Sequence, residues 1–148
     1  MTAVLAVPPA FTARIRICSD RSFELDEAGV LAVLLPVELD RELEIDTIAW
    51  TPDRPRRWFF ERHIATHLGD AALHRAQWDQ RPIRLLPTPA AWLADPEGAM
   101  VILDWCSDLR AIFRDVAEII CHSPELKRFL DRRLAQQVSH HYRIRVAT

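Results

Sequence analysis

Apolar and charged residues alternate over residues 12–18 (TARIRIC), the period-two pattern of a half-exposed strand. Ser19-Asp20-Arg21 supplies a turn, Phe23–Leu25 can pair back as a short strand, and Asp26-Glu27-Ala28-Gly29 supplies a second turn. The continuous apolar run 30–35 (VLAVLL) reads as a buried strand that Pro36 ends. The front of the chain is therefore expected to be a small antiparallel β meander, preceded by a loose arm ending at Pro8-Pro9.

From residue 44 the rhythm changes. EIDTIAW (44–50) reads as a strand and the proline-rich 51–55 as a loop. Residues 56–68 are compatible with a helix that Gly69 stops, and Asp70 caps a second helix to about Gln77. PIRLL (82–86) reads as a strand, Thr88-Pro89 opens a helix over AAWLAD, and AMVILD (99–104) is the clearest buried strand. Ser107 caps a short helix over DLRAIFRD, and VAEIIC (116–121) follows as a strand. Ser123-Pro124-Glu125 opens the strongest helix, in which Leu126, Phe129, Leu130 and Leu134 share a face. Tyr142 to Val146 alternates again and reads as a last edge strand. Strands alternating with helices favour parallel pairing. The expected class is α/β: a short, mostly parallel sheet with helices from residue 44 on, behind the meander. The 148 residues suit one domain, with 1–43 as meander and arm and 44–148 as the α/β portion.

Composition narrows the function only by exclusion. Apolar residues at 49% and charged residues at 27% indicate a globular chain, and no apolar run is long enough for a membrane helix. The net charge of -2 excludes a bulk polycation. Charge is uneven, with nine acids against four arginines in residues 1–50. Three cysteines (Cys18, Cys106, Cys121) without CxxC spacing, and no signal-peptide pattern at the start, point to free thiols in the cytoplasm.

Several residue groups could carry chemistry. Ligands bind at the carboxyl ends of parallel strands. Asp104, Cys106 and Asp108 follow one predicted strand, and Cys121 and His122 end the next; if those strands are neighbours, a carboxylate, a thiol and an imidazole converge. His63 and His67 stand four apart, on one face of the expected 56–68 helix, and could share a metal. His140 and His141 are adjacent and on a strand would point to opposite faces. Arg54, Arg56 and Arg57 beside Trp58 offer phosphate contacts and base stacking for a single-stranded nucleic acid, unless Trp58 serves the core. Arg128, Arg132 and Arg133 make a second basic surface on the last helix. Glu38, Asp40, Glu42, Glu44 and Asp46 occupy even positions and on a strand would line one face, a surface suited to a basic partner. Five tryptophans (Trp50, Trp58, Trp78, Trp92, Trp105) exceed what a small core buries completely, so at least one indole is expected to be half-exposed.

The segments IDTIAWTPDRPRRWFFERHIATHLG, PIRLLPTPAAWL and EGAMVILDW resemble uncharacterised proteins of phages and other mobile elements of GC-rich bacteria, over about residues 44–135. The order of strands and helices is also similar to a toprim domain, although Cys106 stands where that family's D-x-D pair needs a second aspartate. These readings converge on an expectation: a non-catalytic interaction protein, without cofactor or membrane, that binds a host or phage protein and inhibits a host defence complex. The alternatives are a metal-dependent hydrolase or nuclease at Asp104, Asp108, Cys121 and His122, and a nucleic-acid-binding accessory protein.

Overall fold

The computed structural model describes residues 9–39 and 43–146, with side chains as far as Gln137. Strands β1 (Phe11–Ile17), β2 (Phe23–Leu25), β3 (Val30–Leu39), β4 (Leu43–Trp50) and β5 (Trp58–Phe60) form an antiparallel sheet in the order β2-β1-β3-β4-β5. A parallel bridge between Ser22 and Phe60 joins the two ends of that order, so the sheet curls on itself. One face packs Ile15, Phe23, Ala32, Leu34, Ala49 and Phe59 into a buried cluster.

The other face of the curl is not solvated. Its Leu35, Val37, Ile48, Trp50, Trp58 and Phe60 share a core with Leu68, Leu86, Trp92, Val101 and Leu103. Those partners belong to or flank a second sheet of β6 (His67–Leu68), β7 (Ile83–Leu86), β8 (Ala99–Ile102) and β9 (Ile119–Cys121), ordered β6-β8-β7-β9. β8 and β9 run parallel to β7, and β6 is antiparallel to β8. Helix α2 (Pro89–Ala94) sets Trp92 into the shared core. The far side of this sheet packs against α1 (Asp70–Asp79), α3 (Leu109–Ile112) and α4 (Pro124–Val146) through Leu73, Ala76, Met100, Ile102, Leu109 and Leu130. A strand buried on both faces has no polar alternation, and every residue of β8 is buried.

The α/β class and the antiparallel front agree with the sequence pattern; the predominance of parallel pairing does not. β4 and β5 both belong to the antiparallel sheet, so the parallel portion begins later and contains three strands. Residues 58–60 form a strand instead of part of a helix. Trp58 and Phe60 enter one core and Phe59 the other, and only a strand sends consecutive side chains to opposite faces. β3 runs through Pro36, which lies beyond the last β1 pairing at Leu34, where a missing N–H removes no β1 ladder bond. Gly69 is the N-cap of α1 rather than a C-terminal stop, and Asp108, not Ser107, caps α3 by accepting the Ala111 N–H. Residues 142–146 continue α4 instead of forming a strand, and His140 and His141 lie on that helix. Among the described residues no helix is long and apolar enough to cross a membrane.

The chain passes closely over β1 at one position. A Cβ added to Gly29 would lie 2.0 Å from the Ile15 carbonyl oxygen, whereas one added to Gly98 meets nothing within 4 Å. Gly29→Ala is expected to cost about 2 kcal/mol or more of stability. Gly98→Ala, strained only by a φ of +62°, should cost about 1 kcal/mol. Urea unfolding of the two variants checks the contrast.

Candidate functional site

The carboxyl ends of β8, β7 and β9 lie on one edge of the second sheet, but β7 separates the other two. Asp104 and His122 therefore follow strands about 10 Å apart and do not converge. Their polar groups have local work. Asp104 Oδ1 accepts the Cys106 N–H at 2.9 Å, and Asp108 Oδ1 accepts the Ala111 N–H at 3.2 Å as the α3 cap. The exposed His122 donates its backbone N–H to Leu85 at 3.0 Å, continuing the β9–β7 ladder. Cys121 is half-buried; burial pushes its thiol up, Asp131 adds to the rise and Lys127 opposes it. Among the described residues no group of three His, Cys, Asp or Glu could hold a metal ion.

The histidine pair is also separated. His63 is exposed at a φ of +57° and stacks on Phe60 with centroids 4.3 Å apart. His67, in β6, lies 2.9 Å from Asp70 Oδ1 through Nε2 and 2.8 Å from Thr66 Oγ1 through Nδ1. Both ring nitrogens are thus engaged, one by the carboxylate and one by the Thr66 hydroxyl. Asp70 is 7% exposed and also faces His74 at 3.8 Å. This chain of groups ties the end of β6 to the first turn of α1.

The acidic run divides along the β3–β4 ribbon. Asp40 and Glu42 lie outside the described residues. A bulge shifts the register, so Val37 opposes Asp46 but Glu38 opposes Glu44. Val37 and Glu38 are consecutive, so their partners fall on opposite faces, and among the described residues Glu38 and Glu44 do not share a face with Asp46. Glu44 is exposed, whereas Asp46 is 2% exposed. Asp46 accepts four backbone N–H groups, from Thr47 (2.8 Å) and Arg62 (2.9 Å) on Oδ1 and from Ile64 (2.8 Å) and Ala65 (3.0 Å) on Oδ2. It pins the segment joining the two sheets and is not a contact residue.

Trp58 is likewise internal. It is 5% exposed, and its indole Nε1 donates to the Leu103 carbonyl at 3.0 Å, so its ring is not a base-stacking platform. Arg54, Arg56 and Arg57 are exposed, with Arg57 over Phe59 at 5.6 Å. On α4, Arg133 donates to the Trp105 carbonyl at 2.7 Å, Arg132 lies over Phe129, and Arg128 pairs with Glu125 at 3.6 Å.

One tryptophan is different. Trp50, Trp58 and Trp92 are at most 7% exposed and Trp105 is half-buried, but Trp78 is 85% exposed. It stands at the end of α1 beside an open cleft of about 730 Å³, lined with Gln77, Gln80, Ala111, Arg114, Asp115 and Val116. Gln77 Nε2 donates to the Arg114 carbonyl at 3.0 Å and Gln80 Nε2 to that of Asp115 at 3.2 Å, so α1 holds the opposite wall. This is the candidate binding site.

No family model, curated protein or solved structure matches the chain.

The site therefore stands on its own geometry. The sequence pointed to at least one half-exposed indole but carries no signal that selects Trp78, because exposure depends on what packs around the end of α1.

Two outcomes follow from the buried groups. Asp46→Ala leaves four N–H groups without their acceptor and is expected to cost about 3 kcal/mol or more. Denaturant unfolding measures the loss, and hydrogen exchange should quicken at Arg62, Ile64 and Ala65. Cys121 is raised in the folded chain, so its contribution to stability is full below the unfolded thiol's pKa and is lost as pH rises through the folded value. Wild type should accordingly lose stability relative to Cys121→Ala across that alkaline window, as pH-dependent urea midpoints will show.

Proposed function

We propose that this chain is a non-catalytic protein-binding module whose contact surface centres on Trp78. The observation that carries the proposal is the 85% exposure of that indole beside a 730 Å³ cleft, since exposed tryptophans next to pockets are typical interface anchors. The polar groups that could have formed a reaction centre at the sheet edge act instead as turn and cap acceptors.

A second feature supports the same reading. β1 pairs with β3 only from Leu34 inward and β5 reaches only Ile48, so the outer β3–β4 ribbon extends past both neighbours. There Glu38 and Glu44 face each other directly, a pairing that costs stability in isolation and suits a basic partner. The partner we propose is a host or phage protein and the role inhibition of a host defence complex; this part of the proposal rests on the resemblance to phage and mobile-element proteins read from the sequence of residues 44–135 alone.

Affinity capture from nuclease-treated lysate of the producing organism tests the proposal. Wild type should retain a stoichiometric protein. Trp78→Ala, which removes an exposed ring and leaves the fold intact, should weaken the complex by about 2 kcal/mol, roughly thirtyfold in Kd. Capture unaffected by Trp78→Ala, or abolished by nuclease, overturns the proposal.

A further inference from the structure

We infer that β9 is the joint of a two-fold dimer, in which β9 of a second copy adds antiparallel to the open side of this strand. This goes beyond the protein-binding reading and does not use Trp78. β9 is the outermost strand of the second sheet and pairs only with β7. The ladder fixes which way its backbone points. Ile83 donates its N–H to the Glu118 carbonyl at 3.0 Å, and His122 donates to the Leu85 carbonyl at 3.0 Å. Backbone groups alternate sides along a strand. Glu118, Ile120 and His122 therefore face β7, while Ile119 and Cys121 turn their N–H and C=O groups outward. Among the described residues no hydrogen bond reaches those outward groups.

The residues of the edge say what covers it. Natural edge strands are blunted by lysine, proline or a bulge, and Ile119-Ile120-Cys121 contains none of these. A second copy turned about a two-fold axis through Ile120 complements each position. Ile119 of each copy lies opposite Cys121 of the other, and each such pair exchanges both of its backbone bonds. Ile120 meets Ile120 at the axis, where antiparallel side chains come closest. It is 47% exposed in the single chain. On the same face Glu118 of each copy meets His122 of the other, an acid beside a base, and both are exposed in the single chain. Moving the axis to Ile119 or to Cys121 sets Ile120 against Glu118 or His122 and loses both complements. The two-fold arrangement is closed, because it uses the same edge on both copies. It joins two four-stranded sheets into one.

Sedimentation velocity on the full-length chain over a range of concentrations tests the inference. Wild type should pass from monomer to dimer as concentration rises. Ile120→Lys should weaken the dimer about tenfold or more, with the thermal unfolding of the monomer unchanged. His122→Glu sets like charges opposite each other and should weaken it about fivefold; adding Glu118→His to that variant should restore it. The register has its own readout. Residues opposed at the axis stand about 4.5 Å apart between Cα atoms, within disulfide reach. Ile120→Cys should therefore cross-link to its own copy under mild oxidation, as peptide mass mapping will show, whereas the native Cys121 should not. The inference falls if the chain stays monomeric throughout, if Ile120→Lys leaves the dimer intact, or if the cross-link maps to another pair of cysteines. It falls equally if Trp78→Ala abolishes the dimer, which would make the cleft the joint, or if association continues past the dimer.

Discussion

Asp46 accepts backbone N–H groups from its own strand and from the segment that follows β5, while shielded from water. That single acceptor set determines where the chain leaves the curled sheet and enters the second one. Four unsatisfied donors in this interior would be costly, so the link adopts the one path that brings Arg62, Ile64 and Ala65 onto the carboxylate. The backbone of Leu103 and Asp104 then bonds to the Thr66 carbonyl, which seats β6 against β8. Much of the second sheet's placement follows from this handover.

The handover is buried under the shared core. Trp58, from the first sheet, donates its indole N–H to the Leu103 carbonyl just after β8, and Trp92 donates to Ala99 at the start of β8. Each ring fills apolar volume while its one polar atom satisfies a backbone group, the combination that lets a large amphipathic side chain be fully buried. Trp58, bonded inside the core, cannot stack on a base, so of the predicted arginine–tryptophan group only Arg54, Arg56 and Arg57 face solvent.

Most of the polar side chains singled out in the sequence have local structural partners. The carboxylates of Asp104 and Asp108 serve turns, His67 and Asp70 serve the β6–α1 junction, and Arg133 holds the Trp105 loop. Trp78 is a large apolar group left in water, beside a cleft whose walls are tied together by glutamine amides. An exposed aromatic surface next to fixed polar groups is what the proposed protein-contact role would use.

Much of the local structure was legible in the sequence. The alternation of TARIRIC, the Thr88-Pro89 start of α2, the apolar β8 run and the Leu126, Leu130, Leu134 stripe of α4 all depend on residues near one another in the chain. Three consecutive aromatics at 58–60 fitted a helix until two cores on opposite faces required a strand. The even spacing of the acids implied one face until the bulge beside Glu38 turned Asp46 inward. The convergence of Asp104 with His122 failed because strand order is a non-local property, and β7 lies between them. The sequence by itself therefore determined the class of most elements and the caps of α2 and α4, since propensity and periodicity act over a few residues. Which strands pair, which carboxylate is buried and which tryptophan meets water were decided only by tertiary packing, because each depends on groups that folding brings together from distant parts of the chain.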